Sequence, residues 1–96
     1  MDSAVPRGHG PREPSLSALT IRNVVVAGHR TSVRLEPVMW ESLHDIARHH
    51  GLGLNALVTE IDRRRDGLSL TAAIRVYIVA FYRNAASGAE PEPIAV

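Results

Sequence analysis

Apolar and polar positions alternate clearly in one short segment of the chain, residues 29–36. Thr31, Val33 and Leu35 fall on one side of this segment, because successive side chains of a strand point to opposite faces. The other side carries the outward positions Arg30, Ser32 and Arg34. This pattern predicts a half-buried strand with a polar, basic outer face.

Three helices are predicted after the strand, over residues 37–51, 54–67 and 70–83. Proline suits the first turn of a helix and glycine suits its end, and the first segment begins at Pro37 and ends at Gly51. Ser69 is a suitable N-cap for the third helix, whose apolar run is interrupted only by Arg75. A helix that is apolar nearly all round is normally buried, and a domain this small has little interior. The third helix is therefore expected to be buried against a second copy of the chain.

The predicted strand needs a partner for the backbone groups along its edges. One candidate is the apolar segment 24–26 of the same chain, folded back through Ala27 and Gly28, although that dipeptide is a weak hairpin turn compared with Asn-Gly. The other candidate is the same strand of a second chain, which gives a two-fold antiparallel ribbon. We favour the second arrangement, because the Ala27-Gly28 turn is weak. A two-stranded ribbon of this kind fits the major groove of B-DNA.

Two segments in this order resemble the ribbon-helix-helix superfamily of Arc/MetJ-type DNA-binding proteins. They are His29-Arg-Thr-Ser-Val-Arg-Leu-Glu-Pro37 and Gly51-Leu-Gly-Leu-Asn-Ala-Leu-Val58. The resemblance covers roughly residues 22–83 and is closest to a small bacterial subfamily with an additional C-terminal helix. It implies a mostly α fold with one short β-strand per chain. It also implies a ribbon-helix-helix dimer built on an intermolecular antiparallel β-ribbon, plus a third helix.

The resemblance also assigns roles by position. Arg30, Ser32 and Arg34 match the strand positions that contact DNA bases. The backbone N–H groups of Leu54 and Asn55 match a helix start that holds a DNA phosphate, and helix N-termini favour anions in general. The other expected phosphate contacts are Gly53, Arg22 and His29. The expected dimer core consists of Val33, Leu35, Trp40, Leu43, Leu57, Val58 and Ile61.

One of these positions, Gly53, departs from the family pattern. Glycine stands where the family often has a serine or threonine N-cap, which leaves the phosphate clamp less preorganised.

The positions of the charged residues along the chain, more than the net charge, favour DNA as a partner. The formal net charge is +1, but residues 20–84 hold nine arginines against six acidic residues. Residues 20–35 contain three arginines, one histidine and no acid. A local basic stretch of this kind binds phosphate even in a nearly neutral chain. Since the excess is small, we expect modest, salt-sensitive non-specific binding and a need for several dimers on adjacent sites.

Candidate catalytic and metal-binding residues are few. The chain has no cysteine, and His44, His49 and His50 lack the spacing of a helical two-histidine metal site. No nucleophile elbow, phosphate loop or paired-carboxylate motif is present. The sequence therefore predicts a protein that is not an enzyme, with no metal, cofactor or identified small-molecule substrate. The run Arg63–Arg65 is flanked by acids and is expected to be a solvated helix end.

Composition divides the chain into a domain and two arms. Residues 1–19 and 85–96 are rich in Pro, Gly, Ser and charged residues, which predicts a disordered N-terminal arm and a disordered C-terminal tail around a domain at 20–84. No apolar stretch approaches the length of about 20 residues that a membrane-spanning helix needs. We expect a cytoplasmic protein that is nucleoid-associated when bound to DNA and has no membrane partner.

The favoured function is that of a DNA-binding transcriptional regulator, which acts as a homodimer or higher assembly on double-stranded DNA. The alternative is an antitoxin-like or adaptor protein of the same fold that acts mainly through protein-protein contacts. Against this alternative, the tail is short and mostly small or acidic, so it is a poor segment for wrapping a toxin. A purely structural dimer without DNA binding is a third hypothesis.

Overall fold

The computed structural model describes residues 18–88 of the 96 in the chain. Two strands precede three helices. In chain order the elements are β1 (Thr20–Val26), β2 (His29–Leu35), α1 (Pro37–His50), α2 (Leu54–Arg63) and α3 (Leu70–Ala86). The order of strand and helices predicted from residue 29 onward is confirmed. The predicted N-terminal arm and C-terminal tail lie largely outside the described residues.

The strands β1 and β2 pair with each other in an antiparallel hairpin, which corrects the prediction of one strand per chain. The turn consists of Ala27 and Gly28, with φ angles of 51° and 86°. Both residues are in the left-handed region, as a two-residue type I′ turn requires. Glycine adopts this region freely, whereas alanine does so only when the surrounding structure holds it there.

Helix α2 supplies the contacts that hold β1 in place. The backbone N–H of Val25 donates to Asn55 Oδ1 at 3.0 Å, and that of Ala27 donates to Thr59 Oγ1 at 3.2 Å. The Thr59 hydroxyl in turn donates to the Val25 carbonyl at 3.4 Å. The outer edge of β1 is thus satisfied by helix side chains, a kind of partner that strand periodicity does not indicate.

The limits of α1 and the start of α3 follow the capping chemistry expected from the sequence, whereas α2 ends at Arg63 and not at residue 67 as predicted. Helix α1 begins at Pro37 and ends at Gly51, whose φ of 70° is left-handed. The Ser69 side chain accepts a hydrogen bond from the Ala72 N–H at 3.1 Å and so caps α3. Helix α3 continues to Ala86, past the domain boundary expected at residue 84.

A single apolar core joins the hairpin to all three helices. Its buried residues are Val24, Val26, Val33, Leu35, Trp40, Leu43, Ile46, Ala47, Leu57, Val58, Ile61, Ala73, Ile74 and Ile78. All seven residues assigned from the sequence to a dimer core are in this set, so the structure places them in the core of one chain. Three residues of α3, namely Ala73, Ile74 and Ile78, are buried against their own chain. The sequence analysis expected this helix to be buried against a second copy.

Candidate nucleic-acid interface

The outer face of the hairpin, on the side opposite the core, carries three cross-strand pairs. They are Ile21 with Arg34, Asn23 with Ser32, and Val25 with Arg30. All six residues are exposed, which confirms the predicted alternation along β2. The Ser32 hydroxyl donates to Asn23 Oδ1 at 2.8 Å. Asn23 is a candidate site residue that sequence analysis missed, because β1 was not predicted to lie beside β2.

The arginines of this face differ from most others in the described part of the chain. Five arginines of the helices and of the loop after α2 form ion pairs with acidic residues. These pairs are Arg48 with Asp45, Arg63 and Arg64 with Glu60, Arg65 with Asp62, and Arg75 with Glu36. Within residues 18–88, Arg30 and Arg34 take part in no such pair. Their guanidinium groups are therefore available to an anionic partner.

Arg22, expected to contact phosphate, points the other way. Its pairing with Val33 places it on the inner face of the hairpin, and its guanidinium carbon lies 5.5 Å from the centre of the Trp40 ring. A cation over an aromatic face is attracted by the ring quadrupole. The structure thus gives Arg22 a packing contact within the chain. His29 is exposed at the end of the turn, opposite Val26.

The edge of β2 that faces away from β1 is open. Because the Val25 N–H donates to α2, Val25 and its partner Arg30 form a non-hydrogen-bonded pair of the ladder. The N–H and C=O groups of Arg30, Ser32 and Arg34 consequently point outward from the hairpin. Over the described range no backbone group pairs with them. A strand edge of this kind is a template for pairing with another strand.

The start of α2 lies at the outer edge of β1. Gly53 is the N-cap and makes no side-chain capping bond, and the first bond of the helix runs from the Leu57 N–H to the Gly53 carbonyl at 3.1 Å. The backbone N–H groups of Leu54 and Asn55 precede that bond, so the helix does not use them. The Asn55 side chain fixes this helix start to β1 through its bond to Val25.

Substituting serine for Gly53 is expected to raise the free energy of unfolding by a few tenths to about 1 kcal/mol, because serine is a better N-cap than glycine and restricts the unfolded chain. Gly53 has an extended backbone, and an added Cβ would meet no atom within 4 Å. Urea unfolding followed by circular dichroism measures the change. Gly51→Ser is the matched control and should destabilise by about 1 kcal/mol, since Gly51 is left-handed. Destabilisation by Gly53→Ser would contradict the capping argument.

The groups with shifted pKa values lie away from the hairpin face. The pKa of Glu36 is lowered by its own backbone N–H, against the opposing effect of burial, and further by Arg75 at 2.8 Å. The pKa of His50 is lowered by burial and by the positive charges of His49 and Arg64. Both side chains contact helix α3, Glu36 through Arg75 and His50 through Phe81, and neither belongs to the candidate interface.

Residues 18–88 contain no cluster of three or more side chains suited to a metal ion. No helix among them is long and apolar enough to cross a membrane.

Comparison with known proteins agrees with this architecture. A family model described as ribbon-helix-helix domain matches residues 19–82, and the chain therefore belongs to the ribbon-helix-helix family. A solved structure of an uncharacterized protein from Bordetella pertussis Tohama I is similar, with a TM-score of 0.64 and 27% sequence identity. The match covers 76% of this chain and 62% of that one, so this chain spans under two thirds of its relative. The search of curated proteins returned no match. The predicted ribbon-helix-helix fold with a third helix is confirmed.

Proposed function

We propose that this protein is a DNA-binding transcriptional regulator that acts as a homodimer and places the outer face of its hairpin in the major groove. The observation that carries the proposal is the pair of exposed arginines, Arg30 and Arg34, on a hairpin face without acidic residues. Membership of a family whose domains commonly bind DNA supports it.

The dimer proposed here forms through the open edge of β2. Complete overlap of two antiparallel copies of this seven-residue strand sets Ser32 opposite Ser32 of the partner subunit. Each Arg30 then lies opposite Arg34 of the partner subunit. Two hairpins joined in this way make one continuous sheet, with the two β2 strands at its centre and a β1 strand on each side.

Strand spacing decides which residues reach the bases. The two central strands lie about 4.8 Å apart, well within a major groove about 12 Å wide. The flanking β1 strands lie about 14 Å apart and therefore face the groove walls, where the phosphates are. Arg30, Ser32 and Arg34 are thus assigned to base contacts, and Asn23 to the backbone. The Leu54 and Asn55 N–H groups, fixed to the outer edge of β1, are placed to bind phosphate as well.

The chemistry of these side chains suits guanine-containing sites. An arginine can donate to guanine O6 and N7 together, and such a contact discriminates by about 1–3 kcal/mol. A serine hydroxyl donates or accepts and discriminates less. Since the two chains are related by a two-fold axis, the preferred site is an inverted repeat.

Selection of bound sequences from a random pool of duplex DNA, with the full chain, tests the proposal. We expect enrichment of a short inverted repeat containing guanine. Raising the salt concentration should weaken all binding but preserve the preference, because phosphate contacts are sequence-independent. If no motif is enriched at low salt, the proposal of sequence-specific DNA recognition is wrong and the adaptor hypothesis is favoured. Co-purification of bound proteins from the native host then tests the adaptor hypothesis.

A further inference from the structure

Helix α3 has an apolar stripe on the side opposite its buried residues. We call the set Ala72, Val76, Val79, Arg83 and Ala86 the α3 stripe, and its one charged member, Arg83, lies in the last turn of the helix. Val76 is 57% exposed and Val79 51%, although both are β-branched apolar residues. The core side of the helix, with Ala73, Ile74 and Ile78, is fully covered within the chain.

The spacing within the α3 stripe indicates the kind of partner. Its members are separated by alternating steps of four and three residues. This is the spacing at which one helix packs along another, because such positions form a continuous seam on the helix surface. The α3 stripe therefore fits a second helix better than an extended peptide or a small molecule.

The position of α3 indicates which helix that is. Helix α2 packs mainly against β1, whereas α3 packs mainly against α2 and α1 and also contacts β2, the strand with the open edge. The Arg75 guanidinium forms an ion pair with a Glu36 carboxylate oxygen at 2.8 Å and ties α3 to the residue that follows β2. Two copies joined through β2, with strands about 4.8 Å apart, bring their α3 helices side by side. Packed helices lie about 8–10 Å apart, a separation this arrangement can provide.

The surface area that a stable dimer must bury is an independent reason to expect a second copy on the α3 stripe. Specific protein interfaces bury about 1,200–2,000 Å² in total. Pairing of β2 alone adds backbone hydrogen bonds but little apolar burial, because Val33 and Leu35 are already 3% and 0% exposed within one chain. The exposed valines of the α3 stripe supply apolar surface that the ribbon lacks.

We propose that a second copy of this chain covers the α3 stripe, so that paired α3 helices form the apolar layer of the dimer beneath the β2 ribbon. This inference rests on the proposed function in its use of β2 pairing. It assigns a role to the third helix beyond the cover it gives to the core of its own chain.

The double variant Val76→Glu/Val79→Glu of the full chain tests the inference by sedimentation equilibrium. We expect the dimer dissociation constant to rise at least about 100-fold, because two apolar side chains per chain become charged in a buried seam. Circular dichroism should show an intact fold, since both residues are exposed in the single chain. Val25→Glu, at the exposed valine on β1, is the matched control and should leave the dimer unchanged.

A third variant, Ser32→Pro, separates the two contacts. Proline removes a backbone donor that points away from β1 and is tolerated where a strand edge is unpaired. If the valine variant is monomeric and the control dimeric, the α3 contact holds. If Ser32→Pro is then also a monomer, the position of that contact beneath the β2 ribbon holds as well, whereas a Ser32→Pro dimer rejects the ribbon. If the valine variant remains a dimer while Ser32→Pro is a monomer, the α3 contact is wrong and the ribbon stands. A wild-type chain that is monomeric throughout overturns both.

Discussion

Replacing Arg30 and Arg34 by alanine is expected to abolish sequence-specific DNA binding and to leave the chain folded. Each dimer would lose two arginines from each chain, and every bidentate contact to guanine contributes about 1–3 kcal/mol. The combined loss is at least about 4 kcal/mol, or roughly 1,000-fold in affinity. Both side chains are exposed and take part in no ion pair within residues 18–88, so the core is not affected. Fluorescence anisotropy with a selected DNA site measures the loss.

The matched control for this experiment is Arg48→Ala/Arg65→Ala. It removes the same charge from positions outside the hairpin, where each arginine already has an acidic partner, Asp45 and Asp62 respectively. Only a small loss of affinity is expected, because exposed ion pairs contribute little and distant charge is screened by salt. If both double variants bind the selected site equally well, the bases are contacted by some other surface.

Replacing Trp40 by alanine is expected to reduce the free energy of unfolding by about 3–5 kcal/mol, a large part of the stability of so small a domain. Trp40 is 2% exposed, and its Nε1–H donates to the Thr20 carbonyl at 2.9 Å. The variant leaves a cavity, frees a carbonyl of β1 and removes the ring on which Arg22 lies. Urea unfolding followed by circular dichroism should show a chain that is mostly unfolded or close to it.

Trp40→Phe is the control for this substitution. It keeps an aromatic ring in the core but loses the bond to Thr20, so we expect a smaller loss of about 1–2 kcal/mol. A loss below about 1 kcal/mol for Trp40→Ala would mean that this side chain does not join the hairpin to the helices.

The sequence was sufficient to predict the parts of the fold that depend on local chemistry. The alternation along β2, Pro37 at the start of α1, left-handed Gly51 at its end and the Ser69 cap are each decided by a few neighbouring residues. They could be predicted because side-chain period and capping bonds act over at most one or two turns of chain.

The pairing of β2 with β1 within the chain was not predicted, because its cause is not local. Ala27-Gly28 is a weak turn by itself. It closes the hairpin because Asn55 and Thr59, which lie 30 and 32 residues along the chain from their partners Val25 and Ala27, satisfy the backbone there. Asn23 was overlooked for the same reason, since only the pairing of β1 with β2 sets it beside Ser32. Contacts between distant segments depend on tertiary packing, which residue periodicity does not record.

The third helix shows the same limit in another way. Its apolar run correctly predicted burial of one side, at Ala73, Ile74 and Ile78. The pattern could not tell whether its own chain or a second copy provides that burial. The structure assigns one side of α3 to its own chain and leaves the stripe containing Val76 and Val79 exposed.

The apolar core is complete within one chain. Folding and association become separate steps, so a folded single chain can exist at low abundance without contacting an operator firmly. In the dilute limit the concentration of the paired form grows with the square of the chain concentration. For the DNA-binding dimer proposed above, occupancy of a DNA site would then rise more steeply than in proportion to the chain concentration, without any effector molecule.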